Sequence, residues 1–166
     1  VEYFKTSVGL QLLRQEILGP AVFDDAFRTY IHRWAYKHPT PADFFRTIEN
    51  VAGRRLDWFW REWFYENPHF DQAVDSVETR VVGDTQEVTV QYGNRGGGVL
   101  PLHVRFTFTT GTTQDVVYPA EVWSLNSRRY VRQYRFVGER VTRIVLDPER
   151  RLVDDDRANN VWTARP

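Results

Sequence analysis

The chain has 166 residues, with 22 basic and 22 acidic side chains and a formal net charge of zero. That balance argues against a nucleic-acid module held by bulk charge and against a polybasic membrane anchor, and no apolar run approaches the roughly 20 residues of a membrane helix. Its 25 aromatic side chains and 42% hydrophobic content are those of a folded globular chain. There is no cysteine, hence no disulfide framework, thiolate metal site or cysteine nucleophile. Methionine is also missing, even at position 1. Either Val1 is a rewritten alternative start, or the chain is a piece of a longer protein cut upstream. Composition favours the second, and a signal peptide would then be invisible here.

Aromatic density and periodicity divide the chain. Residues 1–75 hold 16 of the 25 aromatics, and the pattern there is helical, giving way to alternation beyond. Four helices are expected. The first, Phe4 to Ile17, is apolar nearly all round and is stopped by Gly19-Pro20. The second runs from about Pro20 to Lys37, with Phe23, Phe27, Tyr30, Ile31 and Trp34 as its stripe. In the third, Thr40 caps, Pro41 takes the first helical position and Asp43 completes a capping box, with Gly53 closing. The fourth begins near Asp57, carries Trp58, Phe59, Trp60, Trp63, Phe64 and Tyr65, and ends at Asn67-Pro68. The first and fourth helices lack a clear wet face. Either a partner surface covers them, or they sit at the centre of a tight bundle.

From Val74 the residues alternate. Val88, Val90 and Tyr92 share one strand face; Leu102, Val104, Phe106 and Phe108 share another. A strand is expected over Gln114–Trp123. Tyr130–Phe136 and Val141–Leu146 read as a hairpin around Gly138-Glu139. About seven short strands predict a β-sandwich of immunoglobulin-like size. The expected fold class is therefore α+β. A helical part over 1–73 precedes a sandwich over 74–148 and a polar tail over 149–166.

Composition and spacing alone mark no catalytic centre. His32 and His38 are six apart, on different sides of a helix, and neither begins a zinc-helix spacing. His69 and His103 stand apart from them, so no metal site is expected. Gly96-Gly97-Gly98 is followed by a strand, whereas a phosphate loop must open a helix; a strand connection is expected. Asp154, Asp156 and Asn159 lack the turn glycine and closing glutamate of a calcium loop and read as a solvated tail. Arginine outnumbers lysine 20 to 2, yet acids are interleaved, and the close basic pairs of note are Arg54-Arg55 and Arg128-Arg129.

The order of several short segments does carry a resemblance. Tyr3-Phe4-Lys5-Thr6 resembles the Tyr-x-Lys-Gly segment of M1-family zinc aminopeptidases, the gluzincin group, with Thr6 departing from the usual glycine. Leu18-Gly19-Pro20 and Phe23 match the family's next turn and helix start. The runs Ala26–Ile31, Arg33–Pro41, Asp43–Thr47 and Asp57–Trp60 are similar to its bacterial branch. Asn94, Gly96 and Pro101, and the ending Asp156-Arg157 with Asn159, Asn160 and Trp162, are similar to the sandwich that follows in that branch. The resemblance implies the end of a catalytic domain followed by an accessory sandwich.

It further implies a zinc held in the parent protein by a His-Glu-x-x-His segment and a later glutamate upstream of Val1, with no cofactor bound by this chain alone. Partners would be the upstream catalytic and N-terminal domains of the same parent, and a peptide substrate. Tyr3 falls on the tyrosine that hydrogen-bonds the tetrahedral intermediate; without the resemblance, Tyr3 reads as core. A phenol with an ordinary pKa near 10 stays a donor at neutral pH, and one such donor is worth about 10²–10³ in rate. Export is implied by the bacterial branch, while the residues themselves say nothing of compartment. The rival reading is a non-catalytic M1-like scaffold or interaction module. A third is a free-standing helical-plus-sandwich binding protein.

Overall fold

The structure, a computed structural model, describes residues 2–165, with the side chains of Glu2 and Tyr3 outside that description. It divides into two compact units, 1–67 and 68–166. Among the described residues no helix is long and apolar enough to cross a membrane.

The first unit is helical. α1 (Glu2–Leu12) passes into a wider π-helical turn, Leu13–Ile17. α2 (Pro20–Trp34) and α3 (Pro41–Ala52) follow. α4 (Asp57–Trp60) again widens into a π turn, Arg61–Tyr65. Local chemistry sets these ends. Pro20 and Pro41 occupy first turns, where a missing N–H costs nothing. The Asp43 carboxylate accepts from the Thr40 N–H (2.8 Å) and hydroxyl (2.7 Å). Gly53 closes α3 in the left-handed region, φ 65°. α2 ends at Trp34, short of the expected Lys37, because Ala35 turns extended.

The α4 stretch lies inside this unit. Phe59, Trp60 and Trp63 are buried, together with Leu12, Leu13, Phe23, Ala26, Phe45, Ile48 and Leu56. Trp60 stacks on Phe45 with centroids 4.4 Å apart. Tyr65 at the end of this stretch is exposed, and so are Phe4 and Val8 on α1 and Val22, Phe27 and Ile31 on α2. Of the fourth helix's aromatic girdle, Phe59, Trp60 and Trp63 are thus core, Trp58 and Phe64 are half-buried and Tyr65 faces out, while further outward apolar surface falls on the first two helices.

The second unit is a sandwich of seven antiparallel strands. One sheet has the order β1 (Gln72–Val82), β2 (Thr85–Asn94), β5 (Arg129–Val137). The other runs β4 (Thr113–Tyr118), β3 (Leu102–Phe108), β6 (Val141–Leu146), β7 (Val161–Thr163). Pairing β4 with β3 rather than with β5 is a variant of the immunoglobulin-like seven-strand arrangement. The inward residues are those the alternation marks. Val88, Val90 and Tyr92 of one sheet join Leu102, Val104, Phe106, Phe108, Ile144 and Leu146 of the other in one core.

Three expectations are corrected. β5 and β6 do not form a hairpin: β5 pairs with β2 and β6 with β3, so the chain crosses between sheets at Gly138-Glu139. That corner is tied down where the Gly138 N–H and the Arg140 guanidinium donate to the Asp84 carbonyl, at 2.9 and 2.8 Å. The strand expected over 114–123 ends at Tyr118; Pro119 interrupts it, and Ala120–Trp123 forms a 3-10 turn. The polar tail is part of the sandwich: 157–160 is a 3-10 turn, and Val161–Thr163 pairs with β6.

Candidate functional site

The first helix carries the one residue singled out for catalysis. The Tyr3 backbone lies in the first turn of α1, and its side chain is outside the described residues. Among the described residues, α1 and the π turn that continues it are held at three points. The Lys5 ammonium donates to the backbone carbonyls of Glu62, at 3.1 Å, and of Glu66. These carbonyls lie at the C-terminal end of the α4 stretch, where a helix has acceptors to spare and favours positive charge. At Gly9 an added Cβ would sit 2.8 Å from a ring carbon of Trp63, so only a bare Cα allows the approach. Beyond it, the Arg14 guanidinium grips Asp24 of α2 with two hydrogen bonds, 2.7 and 2.8 Å. That hydrogen bonding, aided by the charge, holds the Asp24 carboxyl below the usual carboxylate range.

Sequence reasoning missed two members of this arrangement. In the sequence Lys5 stands only as part of a motif, and its anchoring role depends on residues 57 and 61 positions away. Glu62 is 3% exposed, a carboxylate buried between the core rings of Phe59 and Trp63 along the chain. Its signal was an acid inside an otherwise apolar run.

The other candidates do not converge. His32 and His38 are exposed, at the end of α2 and after it. The His69 ring lies 2.9 Å from Asp155, and His103 lies on β3. Among the described residues no group of three His, Asp or Glu side chains is placed to hold a metal ion. The triple glycine is a strand connection: a Cβ on Gly98 would fall 2.5 Å from the Phe70 ring, and on Gly96 2.4 Å from the His69 carbonyl.

The supposed solvated tail is laced to the sandwich. The Asn159 amide donates to Asp71 (2.8 Å), Asn160 donates to Asp154 (3.0 Å), and Asp156 caps the last turn through the Ala158 N–H (3.0 Å). The close basic pairs are likewise engaged. Arg55 holds Asp57 bidentately, and Arg128 donates to the Arg95 carbonyl at 2.7 Å.

No family model matches the chain, and no curated protein matches it by sequence. Among solved structures, that of Legionella pneumophila aminopeptidase A in complex with aspartic acid matches with a TM-score of 0.54 and 16% identity. The match covers 87% of this chain and 16% of that one, so the chain spans about one-sixth of the neighbour's length. The likeness is one of fold, a helical segment followed by a sandwich.

Proposed function

We propose that this chain is the C-terminal portion of a zinc-dependent aminopeptidase of the M1 kind, hydrolysing N-terminal peptide bonds. The observation that carries the reading is the match to an aminopeptidase over 87% of the chain. The matched share is long enough to include helices and sandwich together. In this reading 1–67 closes the catalytic domain and 68–166 is its accessory sandwich. The zinc and its ligands belong to the rest of the parent protein, and this chain alone is inactive.

The role left to this chain is placement. Tyr3 donates its phenolic proton in a hydrogen bond to the oxygen on which charge develops as the carbonyl becomes tetrahedral. The Lys5 anchor, two residues on, fixes the turn that bears it.

The test starts with the coding DNA upstream of Val1. A continuing frame with His-Glu-x-x-His and a later glutamate is expected. The whole gene product should then release 4-nitroaniline from aminoacyl substrates, and Tyr3→Phe should lower kcat by about 10²–10³ with little change in zinc content. Zinc-dependent turnover by residues 1–166 alone would overturn the reading. The exposed Phe4, Val8, Phe27 and Ile31 favour a second reading, a non-catalytic interaction module. An upstream frame without the zinc motif would select it.

A further inference from the structure

We propose that the groove formed by α3 and the α4 stretch binds an acidic peptide segment, independently of the aminopeptidase reading. The groove is a cavity of about 740 Å³ confined to residues 42–65 of the helical unit. Its floor is apolar and rigid, because Phe45 and Trp60 are stacked and buried. Its walls carry four arginines, Arg46, Arg54, Arg55 and Arg61, against two acids, Glu49 and Asp57.

The acids are already committed. Glu49 accepts from the Leu56 N–H (2.7 Å) and the Trp60 indole N–H (3.1 Å), which fixes the turn between α3 and α4. Asp57 is held by both arms of Arg55, and Arg54 is turned to the Ile17 carbonyl at 3.3 Å. Two guanidiniums keep donors for a ligand. Arg46 acts on Asp43 through its charge, with no hydrogen bond between the two among the described residues. Its neighbour one turn earlier, Asp43, spends its carboxylate on Thr40. Arg61 reaches Glu66 only at 3.5 Å, with both side chains more than half exposed.

Arg46 and Arg61 stand on different elements, as two points for successive carboxylates, each matching the planar fork of a guanidinium. Tyr65, 70% exposed, stands at the rim on the same π turn as Arg61. π turns recur at functional sites, and a Tyr–Arg rim over an apolar floor has the composition of a peptide-binding hot spot. Nucleic acid is disfavoured, since acids are interleaved with the arginines here and the net charge of the whole chain is zero.

The test is fluorescence anisotropy of the chain with a labelled Glu-Glu-Leu-Glu-Glu peptide. Competitors are inorganic phosphate and a single-stranded oligonucleotide. Saturable binding is expected. Joint replacement Arg46→Ala and Arg61→Ala should weaken it by roughly tenfold or more, while Arg28→Ala on α2 should leave it unchanged. Arg46→Glu should abolish it and admit a labelled Lys-Lys-Leu-Lys-Lys peptide. Arg46 and Arg61 are exposed, and circular dichroism checks that each variant stays folded. No binding at about 1 mM peptide, binding indifferent to the joint replacement, or competition by phosphate or oligonucleotide at concentrations equal to the peptide would each overturn the proposal.

Discussion

Lys5 and Glu62 are 57 positions apart in sequence, yet the lysine ammonium lies 3.1 Å from the glutamate's backbone carbonyl. The contact joins the first turns of α1 to the end of the α4 stretch, across the helical unit. A methionine in place of Lys5 keeps the aliphatic stem and loses the donors. Lys5→Met should destabilise the helical unit by about 1.5–2 kcal/mol, the lower part of the range for hydrogen bonds to charged groups, because the site is half-buried. Urea unfolding followed by tryptophan fluorescence reads this directly. Amide exchange should quicken in residues 2–12, and an unchanged exchange rate there would contradict the anchoring role.

Gly9 tests the same packing from the other side. A Cβ there meets the Trp63 ring at 2.8 Å, and Trp63 is only 4% exposed. The ring has no room to retreat, so Gly9→Val should cost about 2–3 kcal/mol through overpacking. Gly9→Ala should cost less, since its gain in helix propensity offsets part of the clash. The expected order of thermal midpoints is Gly9, then Ala, then Val, with Val lowest.

The Asp43 carboxyl is held below its ordinary 3.8, first by the Thr40 N–H and then by the Thr40 hydroxyl. In the unfolded chain these donors are lost and the group binds protons more readily. Its contribution is therefore fully present above about pH 4 and fades as pH falls through the lower folded value. Asp43→Asn removes that dependence. The melting temperature of the helical unit should fall less steeply from pH 5 to pH 2 in the variant than in the parent chain. Parallel profiles would show that the cap contributes nothing to acid sensitivity.

What the sequence discloses depends on the range of the interaction. α3 was legible residue by residue, because Thr40, Pro41, Asp43 and Gly53 act within a few positions of one another. β2 and β3 were legible because burial on one face forces a period of two. The sheet to which each strand belongs was not: Phe136 and Val141 both point into the core, and alternation is the same for a hairpin as for a corner between sheets. β7 was hidden for another reason. Its three residues, Val161-Trp162-Thr163, are too few to display a period of two, and they follow a polar stretch whose Asn159 and Asn160 reach Asp71 and Asp154. At the candidate site, residue chemistry marked nothing. Tyr3 came from the resemblance alone, and Lys5 and Glu62 gained meaning only when distant segments met.

The C-terminal segment holds one more such long-reach element. Asp147 is 4% exposed and accepts from the N–H groups of Arg151 (2.8 Å) and Leu152 (3.1 Å) and from the Arg157 guanidinium (2.9 Å). Arg157 also donates to the Leu152 carbonyl at 2.6 Å, so it ties the loop after β6 to the turn before β7. Removing the guanidinium leaves a buried carboxylate short of a counter-charge, which costs more than the bond itself was worth. Arg157→Met should destabilise the sandwich by about 2–4 kcal/mol, a fall in melting temperature of roughly 10 °C or more for a unit of this size. Asp147→Asn alone keeps an acceptor but places an amide N–H₂ against donors. The paired variant Asp147→Asn with Arg157→Met should be less destabilised than the sum of the two, since neither then leaves an unmatched charge. Strict additivity would show that the two side chains act independently and that β7 is held by its ladder to β6 alone.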